Sequence, residues 1–134
     1  MPLLVGALLA LAVGALGTIA GMDRDRAFYP VVTFAVASYY VLFAVMGASS
    51  GIVMIESSVC LVFIAAAVAG FKSSLWIVMA ALAGHGIFDL FHGSLISNPG
   101  VPEYWPNFCM AFDVLFAGYL AWQLQSGKIR RWRD

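Results

Sequence analysis

The sequence consists of successive apolar runs, each long enough to cross a lipid bilayer and separated from the next by a short polar break. A membrane-spanning helix needs roughly 20 mostly apolar residues. Runs of this kind are predicted at about 3–21, 30–49, 52–71, 75–96 and 107–125. Because the breaks leave no room for a soluble domain, the sequence predicts a single transmembrane domain, an all-α integral membrane protein built as a compact bundle of five transmembrane helices.

The composition supports a lipid environment. Hydrophobic residues make up 63% of the chain and charged residues only 10%, which is far from the usage of soluble domains. The formal net charge is +0, so nothing indicates a nucleic-acid partner. The chain is therefore expected to lie in the lipid bilayer, as a multi-pass protein of the bacterial cell (inner) membrane.

The positions of lysine and arginine predict the orientation of the bundle. All seven lie after the first, third or fifth run: Arg24, Arg26, Lys72, Lys128, Arg130, Arg131 and Arg133. Cytoplasmic flanks of membrane helices are enriched in these residues. The N-terminus is therefore predicted outside and the C-terminus in the cytoplasm, with the proline-rich segment 97–106 forming an outer loop.

Five ionisable residues lie inside the apolar runs, and they need an explanation. They are Glu56, His85, Asp89, His92 and Asp113. An ionisable group at membrane depth is costly, so it usually faces protein or a water-filled cavity and has a partner. No lysine or arginine lies within any run, which leaves the two histidines as the only basic candidates.

The spacing of these residues favours a shared site. His85, Asp89 and His92 follow each other at intervals of four and three, and therefore share one face of a helix. Counting at about 1.5 Å per residue puts Glu56 and His92 at similar depths below the outer surface, and Asp89 level with Asp113. The third, fourth and fifth helices are thus predicted to offer polar groups at matching heights.

Three carboxylates in a low-dielectric interior require compensation. One solution is a bound divalent metal, a second is proton uptake by a carboxylate or an imidazole, and the third is exposure of some of these groups to headgroups or water. The pair formed by Asp89 and His92 has the carboxylate-x-x-His spacing by which di-iron bundles bind metal, although those bundles use glutamate.

The predicted metal ligands are therefore His85, Asp89 and His92, with Glu56 and Asp113 completing the ligand set or orienting the imidazoles. Nitrogen and oxygen ligands suit zinc, iron, manganese or copper. Glu56 or Asp113 is the predicted catalytic base.

Three functions agree with these observations, and whether the chain is an enzyme stays open at this stage. The first is a metal site acting on a lipid or small apolar substrate. The second is a metal-free acid/base catalyst, such as an isomerase or cyclase. The third is a carrier of protons or metal, or an accessory subunit, for which a homo-oligomer or a larger membrane complex is expected.

Other polar residues are expected to have simpler roles. Tyr39, Tyr40, Ser57 and Ser58 are candidate hydrogen-bond donors to the site, with ordinary packing preferred. In the outer loop, Glu103, Tyr104 and Trp105 are interpreted as an interfacial anchor rather than a lid. The cysteines, Cys60 and Cys109, are predicted to be buried thiols.

Overall fold

The structure is a computed structural model and describes residues 1–129. Arg130, Arg131 and Arg133 of the predicted basic tail lie outside this range. The described chain contains five α-helices: α1 (Pro2–Ala20), α2 (Phe28–Gly47), α3 (Ser50–Lys72), α4 (Leu75–Leu95) and α5 (Trp105–Gln125), with a short 3-10 turn at Met22–Arg24 after α1. The prediction of an all-helical chain with five helices is confirmed.

Four of the helices, α1 to α4, are long and apolar enough to cross a membrane. The fifth, α5, has 21 residues but contains Asn107, Asp113 and Gln123, which lower its apolar character. Membrane-spanning character is therefore supported for four helices. Five spans, and the orientation of the bundle, stay predictions.

The helix boundaries follow from local capping. The Ser49 side chain accepts a hydrogen bond from the backbone N–H of Ile52 at the start of α3, and Ser74 does the same for Trp76 at the start of α4. Pro106 lies in the first turn of α5, where a missing N–H costs nothing. The helix accordingly begins at Trp105, two residues before the predicted start of the fifth run.

The helices pack in the order α1, α5, α4, α3, α2, and α2 also contacts α4. A stripe of small residues on α1, formed by Gly6, Ala10 and Gly14, is buried. A side chain at Gly6 would collide with the backbone carbonyl of Phe108, and one at Gly14 would meet the Tyr119 ring. Small residues therefore allow α1 to approach α5 closely, as in many membrane bundles.

The exterior of the bundle is far more apolar than that of a soluble protein. Large apolar side chains such as Leu16, Ile19 and Met54 are exposed on the outside of the bundle. The polar side chains of the predicted site are instead buried, as are a few others elsewhere. An apolar exterior of this extent is typical of a surface that contacts lipid or another protein.

Candidate metal centre between helices α4 and α5

Three of the predicted site residues form one buried cluster. His85 and Asp89 lie one turn apart on α4, and Asp113 faces them from α5. His85 Nδ1 is hydrogen-bonded to Asp113 Oδ2 at 2.6 Å and lies 3.6 Å from Asp89 Oδ2. Each residue offers a ligand atom within 4.8 Å of the other two. One nitrogen and two carboxylates therefore surround a single position, and this group could hold a metal ion.

The cluster retains unused acceptor capacity. Asp89 Oδ2 and Asp113 Oδ1 are buried and have no donor within residues 1–129, and the two carboxyl groups interact with each other. A buried carboxylate oxygen without a donor is energetically costly. Because both oxygens belong to the same cluster, a proton, a water molecule or a metal ion bound there would satisfy them.

Glu56 and His92 form a second buried pair, which lies towards the loop between α4 and α5. His92 Nε2 is hydrogen-bonded to Glu56 Oε1 at 2.8 Å. Asn98, from the segment after α4, donates to the same oxygen at 2.9 Å and to the backbone carbonyl of Tyr40 at 3.1 Å. The side chain of Asn98 thus fixes the loop between α4 and α5 to α2 through the Tyr40 carbonyl and to α3 through Glu56.

Tyr40 of α2 connects the pair to the cluster. Its hydroxyl donates a hydrogen bond of 2.7 Å to Asp89 Oδ1. Its ring stacks on His92, with ring centroids 3.9 Å apart and planes inclined by 15°. One ring stack and a set of hydrogen bonds therefore connect the Glu56 and His92 pair, through Tyr40, to the cluster.

Aromatic rings enclose both imidazoles. Phe63 packs edge-on against His85, with centroids 4.7 Å apart, and Phe88 packs edge-on against His92 at 5.4 Å. These rings exclude water and lower the local dielectric, which strengthens electrostatic interactions inside the site. They also raise the cost of any charge left without a counter-charge.

Two openings approach these polar groups. A cavity of about 290 Å³ lies beside the loop between α4 and α5, with His92, Asn98 and Glu103 among its lining residues. A groove of about 300 Å³ runs between α1 and α2 with α5 as its floor, and its lining is almost entirely apolar. Cys109 lies in the groove floor, one helical turn before Asp113 on α5. The groove therefore approaches the helix that carries Asp113.

The structure divides the five predicted ligands into two groups. The matching depths predicted for Glu56 and His92 correspond to a direct hydrogen bond between them. The metal-ligand role of this pair, and the role of Glu56 or Asp113 as a base, stay predictions.

Sequence reasoning missed the position of Asn98, which was assigned only to the surface loop. The structure buries its side chain beside Glu56. Asn98 precedes Pro99, and this sequence context predicts only a turn. Tyr40, for which packing was preferred, is a hydrogen-bond donor to the site, whereas Ser58 bonds to the Met54 carbonyl of its own helix. Cys60 and Cys109 are buried free thiols, as predicted.

Comparison of the chain with protein-family models, curated proteins and solved structures finds no match. What the fold and site define is a class: an all-helical protein with helices suited to a membrane and a buried His/Asp cluster that could hold a metal ion. Function therefore has to be argued from the site itself.

Substituting Tyr40 by Phe tests the connection between α2 and the cluster. Loss of the hydroxyl leaves Asp89 Oδ1 without its donor, which costs about 1–3 kcal/mol. We expect Tyr40→Phe to lower the thermal unfolding midpoint in detergent by several degrees. Tyr39→Phe is the matched control, because the structure shows no hydrogen bond to that hydroxyl within residues 1–129 and its ring packs on Trp105. Equal midpoints for the two variants would contradict the proposed role of Tyr40.

Proposed function

We propose that this chain is an integral membrane protein of the cell membrane that binds a divalent transition metal at His85, Asp89 and Asp113 and uses it on a lipid or small apolar substrate. The observation that carries the proposal is the cluster itself, in which two carboxylates and an imidazole are fully buried around one position with two carboxylate oxygens left unbonded. When bound, such a metal supplies Lewis-acid activation of water or of a substrate oxygen.

Charge balance supports a cation at this position. Asp89, Asp113 and Glu56 are at most 1% exposed, and within residues 1–129 their only ion-pair partners are His85 and His92. Two imidazoles cannot balance three ionised carboxylates even when both are protonated. A divalent ion removes most of the imbalance while the imidazoles stay neutral, as metal ligation requires.

The donor set narrows the choice of metal. One imidazole and two carboxylates form a nitrogen and oxygen set that suits zinc, iron or manganese, with copper also within its range. The protein supplies three ligands, which leaves further coordination positions for water or substrate, as in catalytic rather than structural sites. Glu56 and His92 lie between the cluster and the outer cavity, where they would move protons between the site and the outside.

The groove between α1 and α2 supports an apolar substrate. Its lining is almost entirely apolar and includes Cys109, one helical turn before Asp113 on α5. A charged or strongly polar molecule would lose its hydration there without gaining partners. A lipid or another apolar molecule would enter at little cost, and the Asp113 carboxylate or Glu56 is the proposed general base.

A second candidate function is supported by one distance. The 2.6 Å separation of His85 Nδ1 and Asp113 Oδ2 is a short hydrogen bond, whereas nitrogen and oxygen ligands of one tetrahedral metal at about 2.0–2.2 Å lie roughly 3.3 Å apart. Metal entry would require these two groups to separate by several tenths of an ångström. A metal-free acid/base catalyst or proton-handling protein would use the hydrogen bond as it stands.

Metal content distinguishes these candidates. We expect protein purified in mild detergent and then dialysed against zinc, iron or manganese to retain about one ion per chain, measured by inductively coupled plasma mass spectrometry. His85→Gln and Asp113→Asn should lose most of it, because each removes a ligand. His92→Gln should retain it, because His92 bonds to Glu56 rather than lying in the cluster.

Asp25→Asn is the control for nonspecific ion binding, since Asp25 is exposed and distant in the chain from the cluster. Its metal content should equal that of the wild type. Wild-type protein that retains no ion under any loading condition would refute the metal proposal and favour the acid/base alternative.

We also propose five membrane spans, with the N-terminus outside and the C-terminus in the cytoplasm. In a background with both native cysteines replaced by Ala, single cysteines at Asp25, Glu103 and Lys128 report the location of each exposed position. A membrane-impermeant maleimide should label Glu103→Cys in intact cells, and the other two only after lysis. Labelling of both Glu103→Cys and Lys128→Cys in intact cells would show that α5 does not span the membrane, and labelling of Asp25→Cys and Lys128→Cys without Glu103→Cys would show the opposite orientation.

A further inference from the structure

The cavity beside the loop between α4 and α5 has a lining chemistry of its own. It encloses about 290 Å³, close to the lower limit for ligand pockets. Most of its lining residues are aliphatic residues or prolines, and its polar lining residues are His92, Ser97, Asn98 and Glu103. The space therefore fits a small molecule, and four polar side chains are placed to select it.

The Asn98 side chain has no N–H group left for a ligand. Its two N–H groups are directed to Glu56 Oε1 at 2.9 Å and to the Tyr40 carbonyl at 3.1 Å. Asn98 Oδ1 accepts one hydrogen bond, from the backbone N–H of Gly100 at 3.1 Å. Because an amide oxygen has a second lone pair, the remaining capacity of Asn98 is that of an acceptor.

The second ring nitrogen of His92 is also an acceptor. His92 Nε2 lies 2.8 Å from Glu56 Oε1, and an ionised carboxylate only accepts, so Nε2 is the donor. In the neutral imidazole, Nδ1 then carries a lone pair. The structure shows no hydrogen bond to Nδ1 within residues 1–129. A molecule in the cavity therefore meets this nitrogen as an unused acceptor.

Backbone donors are scarce around the cavity. Three of its lining residues have no N–H because they are prolines: Pro99, Pro102 and Pro106. The N–H groups of Asn98 and Val101 are already bonded to backbone carbonyls. The lining therefore offers a ligand mainly acceptors, and it favours a ligand that is rich in donors.

The charge of this end of the bundle is negative. Glu103 lines the cavity, is exposed, and forms no ion pair with any residue in the described part of the chain. All lysines and arginines of the sequence lie at or after the C-terminal ends of α1, α3 and α5, and none lies in the segments after α2 and α4. A cleft lined by charge of one sign attracts ligands of the opposite sign.

We propose that this cavity binds a small organic cation with a primary ammonium group. Such a group has three N–H donors, a positive charge and no acceptor. The atoms available to receive these donors are His92 Nδ1, Asn98 Oδ1 and the Glu103 carboxylate. Ile96 and Val101 provide apolar surface for the hydrocarbon part of the molecule.

The same lining disfavours other ligand classes. A carboxylate or phosphate would find few donors and would be repelled by Glu103. An inorganic cation would leave the apolar part of the lining without a partner, and a quaternary ammonium has no N–H for the acceptors. The Ser97 hydroxyl can donate or accept, so it does not discriminate between these classes.

This site does not depend on the proposed metal function, because His85, Asp89 and Asp113 do not line the cavity. Two sources could supply the same ammonium group. One is a free amine, and the other is a bilayer lipid with an ethanolamine headgroup.

Thermal unfolding of the full-length protein in detergent, titrated with butylammonium chloride, tests the binding. A ligand that binds only the folded state raises the unfolding midpoint with the logarithm of its concentration above the dissociation constant. We expect butylammonium to raise the midpoint of the wild type by several degrees. Butyltrimethylammonium has the same charge without N–H donors, and butyrate has the opposite charge. At equal ionic strength, each should bind about tenfold more weakly or not at all, since hydrogen bonds to charged groups are lost.

The variants locate the effect. Glu103→Gln keeps the shape of an exposed side chain and removes its charge, so it should fold normally and bind butylammonium about threefold more weakly, as expected for an exposed ion pair. His92→Gln should weaken binding further, because the ring nitrogen is lost. Asp25→Asn, which removes an exposed carboxylate outside the cavity, should bind like the wild type. Equal responses to the three ligands, or an unchanged response in both Glu103→Gln and His92→Gln, would overturn the proposal.

Reconstitution into lipid nanodiscs distinguishes the two sources. If the lipid headgroup is the ligand, the unfolding midpoint should be higher in phosphatidylethanolamine than in phosphatidylcholine, and Glu103→Gln should reduce this difference. If a free amine is the ligand, the midpoints in the two lipids should be equal and butylammonium should raise both. Equal midpoints together with no response to butylammonium in either lipid would contradict an ammonium site.

Discussion

The short contact between His85 and Asp113 is the interaction on which the site depends. It joins α4 to α5 at 2.6 Å in surroundings from which water is excluded. Removing one partner of such a buried pair leaves an uncompensated group, which typically costs about 3–5 kcal/mol. The contact therefore fixes the rotation of α4 about its own axis, and with it the direction in which Asp89 and His92 point.

The rest of the architecture follows from that rotation. Once His92 faces α3, Glu56 is its partner, and Tyr40 of α2 fills the space between His92 and Asp89. Asn98 then ties the loop between α4 and α5 to Glu56 and to the Tyr40 carbonyl. Each of α2 to α5 contributes a side chain to this polar network, so the packing of the bundle and the candidate site share the same residues. The network is buried away from water, where unsatisfied polar groups are most costly.

Much of this arrangement could be predicted from the sequence. The apolar runs predicted the five helices, and the intervals of four and three in α4 predicted that His85, Asp89 and His92 share a face. That face is buried. The depths of Glu56 and His92, counted from their helix ends, anticipated that they could meet. These predictions worked because helix periodicity and rise are fixed by the backbone.

What escaped prediction depends on packing between segments. The separation of five candidate ligands into a cluster of three and a pair of two is set by how α3 and α5 are rotated, which local periodicity does not specify. The contacts of Asn98 depend on the path of a loop with several prolines. Tyr39 and Tyr40 are adjacent, and the packing of α2 decides which of the two hydroxyls reaches the site.

X-ray absorption spectroscopy of zinc-loaded protein at the metal edge tests the central claim most directly, because it reports the ligands themselves. The arrangement of His85, Asp89 and Asp113 predicts one imidazole and several oxygen ligands at about 2.0–2.2 Å. A spectrum with two imidazoles, or one with six equivalent water oxygens, would contradict it.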